Sequence, residues 1–231
     1  MKRFYKKAGI RHADAAFAIV LDDRPVRTPG GGFLSLASGP LAEAIAAEWA
    51  EQGETIDHHA MPLTRFANTA IDRVRADRSH AVAQVEAIAR HDLVCYRAAD
   101  PPELVRREAL AWDQPLVWAH ERHGLALTVT SGIATVAQPD ASFDALRAAL
   151  SRLDEFVVTG LAATVAILKS TVLALALHDR LTDAPAAHAA AHVDEIFQAE
   201  KWGRDAEADA RFEALLKELE ATDRFMRLAR A

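Results

Sequence analysis

Residues Leu161 to Leu177, LAATVAILKSTVLALAL, decide the fold class of this 231-residue chain. The run is apolar on nearly every side, so it is either a membrane span or the buried centre of a folded domain. It falls short of the ~20 residues that cross a hydrocarbon core, and Lys169 at its middle would cost about 2.5–3.5 kcal/mol on insertion. The run therefore reads as the central helix of a bundle, with no membrane insertion. A lysine in that place must reach out to solvent, lose its proton or meet a carboxylate.

A candidate carboxylate stands further along. Val193, Ile196, Phe197 and Glu200 fall at i, i+3, i+4 and i+7, so Glu200 occupies the fourth position of an otherwise apolar helix face. Two readings stay open. Glu200 forms a buried ion pair with Lys169, whose disruption would cost about 3–5 kcal/mol, or it faces a partner. The surrounding stretch QAEKWGRDAEADAR, Gln198 to Arg211, suits the second reading. Gly203 can end one helix, Asp205 can cap the next, and Trp202 is the residue type that most often anchors an interface.

Helical periodicity extends outward from these segments over Thr64–Val74, Ser79–Arg97, Glu103–His123, Ser142–Phe156, Gly160–His178, Ala187–Lys201 and Asp205–Arg230. Leu125 to Val136, LALTVTSGIATV, interrupts it with β-branched residues and predicts a strand or extended crossing, one that could return to the first domain's sheet. Ahead of residue 64 the pattern changes. RFYKKAGI, FAIVL, PVRT and FLSLA predict a small antiparallel meander, turning at Asp22, Asp23 and Arg24 and at Gly30 to Gly32. Ser38, Gly39 and Pro40 open a helix that Gly53 closes, and Leu41, Ile45 and Trp49 line its buried face. Trp49 thus has a structural role. The fold class is α+β: a small N-terminal antiparallel sheet with a packed helix, residues 1–75, followed by a larger all-α helical bundle, residues 76–231.

A composition of 51% hydrophobic and 26% charged residues excludes a disordered chain, and 6% aromatics with abundant alanine favours close-packed helices. The net charge is −6, although Met1 to Thr28 alone carries +4. That basic segment is short and strand-like, which suits a solvated sheet edge and excludes a nucleic-acid face. The single cysteine, Cys95, lies within a helical pattern and reads as a small buried hydrophobe in a reducing compartment. The opening MKRFYKKAGI has the pattern of neither a signal peptide nor a transit peptide, so the bacterial cytoplasm is the expected location.

No phosphate-binding loop follows a strand, since Gly30 to Gly32 lead into Phe33, and no nucleophile elbow is present. The best metal-like set is His188, His192 and Glu195 at i, i+4 and i+7 in HAAAHVDE. It would serve a metal-dependent hydrolase, but Ala189 stands where a zinc-protease helix has its general base. The pairs His58 with His59 and His120 with His123 are weaker still.

An ordered series of blocks resembles the assembly chaperones for the alpha subunit of the catalytic head of F-type ATP synthase: RFYK at Arg3, LDDRPVRTP at Leu21, EWAEQ at Glu48, MPLTRFANTAID at Met61, DLVCYRA at Asp92, WDQPLVW at Trp112, LALAL at Leu173 and DEIFQAEKWG at Asp194. The chain departs from that family at Asp23, where glycine is commoner. The resemblance implies an α+β domain followed by a helical one, no catalysis, no cofactor or metal, and binding of the unassembled alpha subunit against aggregation. It implies functional weight for the acidic residues of the block E-K-W-G-x-D, here Glu200 and Asp205, and with Trp202 and Glu195 these form the expected partner-binding set. Eukaryotic relatives work in the mitochondrial matrix.

Overall fold

A computed structural model describes residues 1–13, 15–132 and 134–231. Asp14 and Ile133, the latter inside the stretch expected to be extended, lie outside the described residues. Two compact units are present. The first comprises Met1–Ala81, Asp154–Gly160 and Ala221–Ala231, and the second Val82–Leu153 and Leu161–Glu220. The sequence reading, with one boundary near residue 75, contains neither of the two late returns to the first unit.

In the first unit β1 (Ala8–Ala13) pairs antiparallel with β2 (Ala16–Leu21), Ala8 lying opposite Leu21. The other edge of β2 takes β3 (Arg24–Pro25) and β4 (Ser35–Leu36). Asp22 and Asp23 make the two-residue turn between β2 and β3, with φ of +47° and +67°, the left-handed pair that tight hairpins require. The Asp22 carboxylate accepts from the backbone N–H of Lys7 (2.8 Å) and Lys6 (3.0 Å), which holds it below the usual carboxylate range. The strand expected from Arg3 begins only at Ala8. Upstream of it Arg3 is tied instead to the chain beyond the first helix, its N–H donating to the Glu54 carbonyl at 2.8 Å.

Helix α1 (Gly39–Ala50) is capped by Ser38, whose hydroxyl accepts from Leu41 N–H at 3.1 Å, and it buries Leu41, Ile45 and Trp49. Trp49 packs edge-on to Tyr5 at 5.8 Å between ring centres, and its carbonyl accepts from the Tyr5 hydroxyl at 2.6 Å. The same helix supplies a cap that sequence reading missed. The buried Glu48 carboxylate accepts from the N–H groups of Leu63 and Thr64, each at 2.8 Å, at the start of α2 (Pro62–Thr69). These are orphan donors of a helix N-terminus, and an anion suits them. After α2 a π-helical segment, Ala70–Val74, carries Asp72, which accepts from Gly30 N–H at 2.7 Å. A Cβ at Gly30 would stand 2.7 Å from the Asp72 carboxyl carbon and push that carboxylate away from Gly30 N–H and the Thr28 hydroxyl.

The second unit takes up most of α3 (Arg78–Ala89), then a 3-10 turn at Leu93–Cys95 and β5 (Tyr96–Arg97). Seven helices complete the chain: α4 (Pro102–His123), α5 (Asp140–Ser151), α6 (Glu155–Leu168), α7 (Thr171–His178), α8 (Ala184–Ala191), α9 (Val193–Trp202) and α10 (Ala206–Ala229). β6 (Thr130–Ser131) lies in the stretch expected to be extended, and it pairs in parallel with β5, within the second unit, so the stretch does not join the first domain's sheet. Cys95 is buried in the 3-10 turn, where burial pushes its thiol up to about 12.

The decisive apolar run is two helices and not one. It breaks at Lys169, whose φ is +53° and which is exposed, so its ammonium is not buried, and of the two readings of Glu200 the pair with Lys169 is not the one found. Lys169 still has a structural part, because its carbonyl accepts from Leu93 N–H at 3.1 Å. The break frees an N-terminus that the fold caps twice. Ser170 accepts from Leu173 N–H at 3.0 Å, and the fully buried Asp92 accepts from Thr171 N–H at 2.7 Å and Val172 N–H at 3.1 Å. Every residue of α7 is buried. Among the described residues no helix is long and apolar enough to cross a membrane.

Candidate partner-docking surface

Helix α4 and helix α9 meet through a stripe of alternating charge laid over one buried aromatic. Phe197 is 4% exposed, and the Arg107 guanidinium and Lys201 ammonium sit 5.2 and 5.3 Å from its ring centre. Lys201 Nζ lies 2.9 Å from Glu103 Oε2, Glu103 pairs with Arg107 at 3.0 Å, and Arg107 Nη1 lies 2.8 Å from Glu200 Oε2. Glu200 and Lys201 hold Arg107 and Glu103 in their charged forms, the first raising the guanidinium's pKa and the second lowering the carboxyl's. Glu200 is therefore a half-exposed rim residue paired with Arg107.

Beyond this ladder the chain turns outward. Trp202 is 79% exposed, a large apolar surface to leave in water. Gly203 follows at φ +98° and donates to the Ala199 carbonyl at 3.0 Å, ending α9. Asp205 accepts from Glu207 N–H at 3.0 Å as the expected cap of α10, and Arg204 clamps Asp209 through its Nε and Nη2. Glu195, Glu200, Trp202 and Asp205 are all exposed on α9 and the turn after it, the placement that a docking surface requires.

The hydrolase reading fails on geometry. α8 ends at Ala191 and α9 starts at Val193, so the i, i+4, i+7 face of His188, His192 and Glu195 does not continue through His192. Glu195 points to solvent, whereas His188 is buried between the His192 ring at 4.2 Å and the Phe212 ring at 4.1 Å. Burial, with His192 beside it, pushes His188 down to about 4. Among the described residues no three His, Cys, Asp or Glu side chains group as metal ligands.

A buried carboxyl pair behind the surface escaped sequence reading. Glu108, in the stripe Leu104, Glu108, Trp112 at i, i+4 and i+8, is 1% exposed and accepts from Ala98 N–H at 2.8 Å. Burial first, and the Asp194 carboxyl beside it second, push Glu108 up to about 7. One turn on, Trp112 donates its indole N–H to the Ala190 carbonyl at 2.7 Å, tying α4 to α8. The signal was available: a glutamate interrupting an apolar stripe on α4 and an aspartate opening α9.

Comparison with known proteins adds a family and a fold. The family model described as ATP12 chaperone protein matches residues 2–120. A crystal structure of Atp12 from Paracoccus denitrificans is similar at 40% identity with a TM-score of 0.94, covering 99% of this chain and 98% of that one. A mutant of the same Paracoccus protein matches equally, at 40% identity over 99% of this chain and 97% of that one. The Agrobacterium tumefaciens protein Atu1473 is similar at 33% identity with a TM-score of 0.93, over 98% of this chain and 85% of that one.

Proposed function

From the premise that the chain belongs to the ATP12 chaperone family and so acts as a chaperone in ATP synthase assembly, we propose that its client is the unassembled alpha subunit of the F-type catalytic head. The chaperone holds that subunit against aggregation without catalysis, in the bacterial cytoplasm, and docks it on α9 and the turn that follows. The observation that carries this reading is Trp202, 79% exposed and set among Glu195, Glu200 and Asp205. An exposed tryptophan on a segment rich in exposed carboxylates has the composition of an interface anchor with a polar rim.

The test is co-purification with free alpha and free beta subunits, alongside light scattering of each as it aggregates on dilution. Retention of alpha with suppressed scattering supports the reading. Retention of beta alone contradicts it.

A further inference from the structure

Helices α4, α7, α8 and α9 of the second unit enclose a groove of about 410 Å³. Its floor is shallow because α8 presents alanines there, among them Ala186, Ala189 and Ala190, and Leu173 and Val193 close its sides. No lining residue is charged. The apolar surface continues beyond the groove along α4, where Leu110, Gln114 and Val117 follow one line at i, i+4 and i+7. Gln114 lines the groove, while Leu110 is 79% and Val117 57% exposed. Apolar side chains in such a row without a cover mark a docking face.

We propose that this groove seats a cationic amphipathic helix of the client. The helical form follows from what the walls offer. The lining residues lie on these four α-helices and on the turn at Leu181 and Thr182, with no strand edge among them to pair with an extended segment, and Ala190's carbonyl is taken by the Trp112 indole. The lining's polar side chains are Gln114 and Thr182. An extended segment would bury unpaired N–H and C=O groups, whereas a helix satisfies its own and lays an apolar face into the groove.

The charge of the occupant follows from the unit that bears the groove. The second unit carries 20 Asp and Glu against 13 Lys and Arg, the first 13 against 14, so the chain's negative charge resides where the groove is. Asp183, exposed, stands at the start of the α8 wall next to the lining residue Thr182, amid this unit's excess of carboxylates. Lysines or arginines flanking the client's apolar face would meet them, which favours the right partner and speeds encounter.

The proposal rests on the chaperone reading only for the client's identity, so the test has two arms. In the first, a labelled 18-residue peptide with a leucine face and lysines elsewhere is titrated by fluorescence anisotropy against the full chain, beside the same peptide with glutamates replacing the lysines. Wild type is expected to bind the lysine peptide at least tenfold more tightly, and Ala189→Trp, which fills the groove from an exposed position, to weaken it at least tenfold. Leu110→Gln, on the exposed rim, is a second variant that leaves the core untouched and should weaken binding in the same direction. Equal binding of both peptides, or no loss in either variant, overturns the proposal. In the second arm the variants are tested as alpha-subunit holdases. If wild type holds alpha and Ala189→Trp holds it equally, the groove proposal falls while the chaperone reading stands; if wild type does not hold alpha, the client assignment falls and the peptide arm decides the groove.

Discussion

Glu200 Oε2 lies 2.8 Å from Arg107 Nη1, on the solvent side of the Phe197 ring and not in the core. Both side chains are partly exposed, a setting in which ion pairs contribute little to stability. Glu200→Gln and Arg107→Gln, singly and together, should each shift Tm by no more than about 2–4 °C in a chain of this size. A larger loss from Glu200→Gln would return the residue to a structural role.

Asp92 makes stability depend on pH. Burial pushes its carboxyl up to about 6 even though Ser170 and the N–H groups of Val172, Val94 and Thr171 hydrogen-bond to it. The native state therefore holds this proton more tightly than the unfolded chain, and the sign follows: the contribution is full below about pH 3.8 and is lost as pH rises through about 6. The difference amounts to ~3 kcal/mol. Urea unfolding of wild type and Asp92→Asn at pH 4 and pH 7 should show the wild-type advantage shrinking by that order. A difference independent of pH would contradict it. Glu108 acts in the same direction, over a window from 4.5 to about 7.

Trp49 is a packing residue, buried against Tyr5. Trp49→Arg buries a charge and deletes the ring, and a loss of ~3–5 kcal/mol is expected by denaturant unfolding. A variant that unfolds like wild type would remove the assignment.

Gly160 of α6 lies against the last turns of α10. A Cβ there would run into the Met226 side chain and stand 3.3 Å from Phe225 Cδ1. Gly160→Val should destabilise by ~1–3 kcal/mol through overpacking, and Met226→Ala should restore part of that loss. Additive effects in the double variant would show that the two residues do not share the space.

The helical class and the N-terminal sheet were legible because burial imposes periods of 3.6 and 2 on a sequence. Ser38, with Pro40 behind it, announced α1, and QAEKWGRD announced the exposed turn at Trp202. What stayed hidden depends on chain segments distant in sequence. The break at Lys169 is not marked by glycine or proline, and it becomes tolerable only because Asp92, 79 residues before Thr171, caps the N–H groups that the break frees. Glu48 capping α2 and Glu108 beside Asp194 are likewise contacts between separate helices, each visible beforehand only as a carboxylate on an apolar face. Such a carboxylate has three fates, a cap, a carboxyl pair or an exposed ion pair such as Glu200 with Arg107, and periodicity does not separate them.

The central proposal is that the exposed face of α9 and the turn after it form the docking surface; Phe197 alone of that helix is buried. The most direct measurement is the affinity of Trp202→Ala for the isolated alpha subunit, taken beside its Tm. Because Trp202 is 79% exposed, the variant should melt within about 2–4 °C of wild type, while the loss of an interface anchor should weaken binding by a factor of about 30 or more. Unchanged affinity at unchanged Tm would contradict the claim.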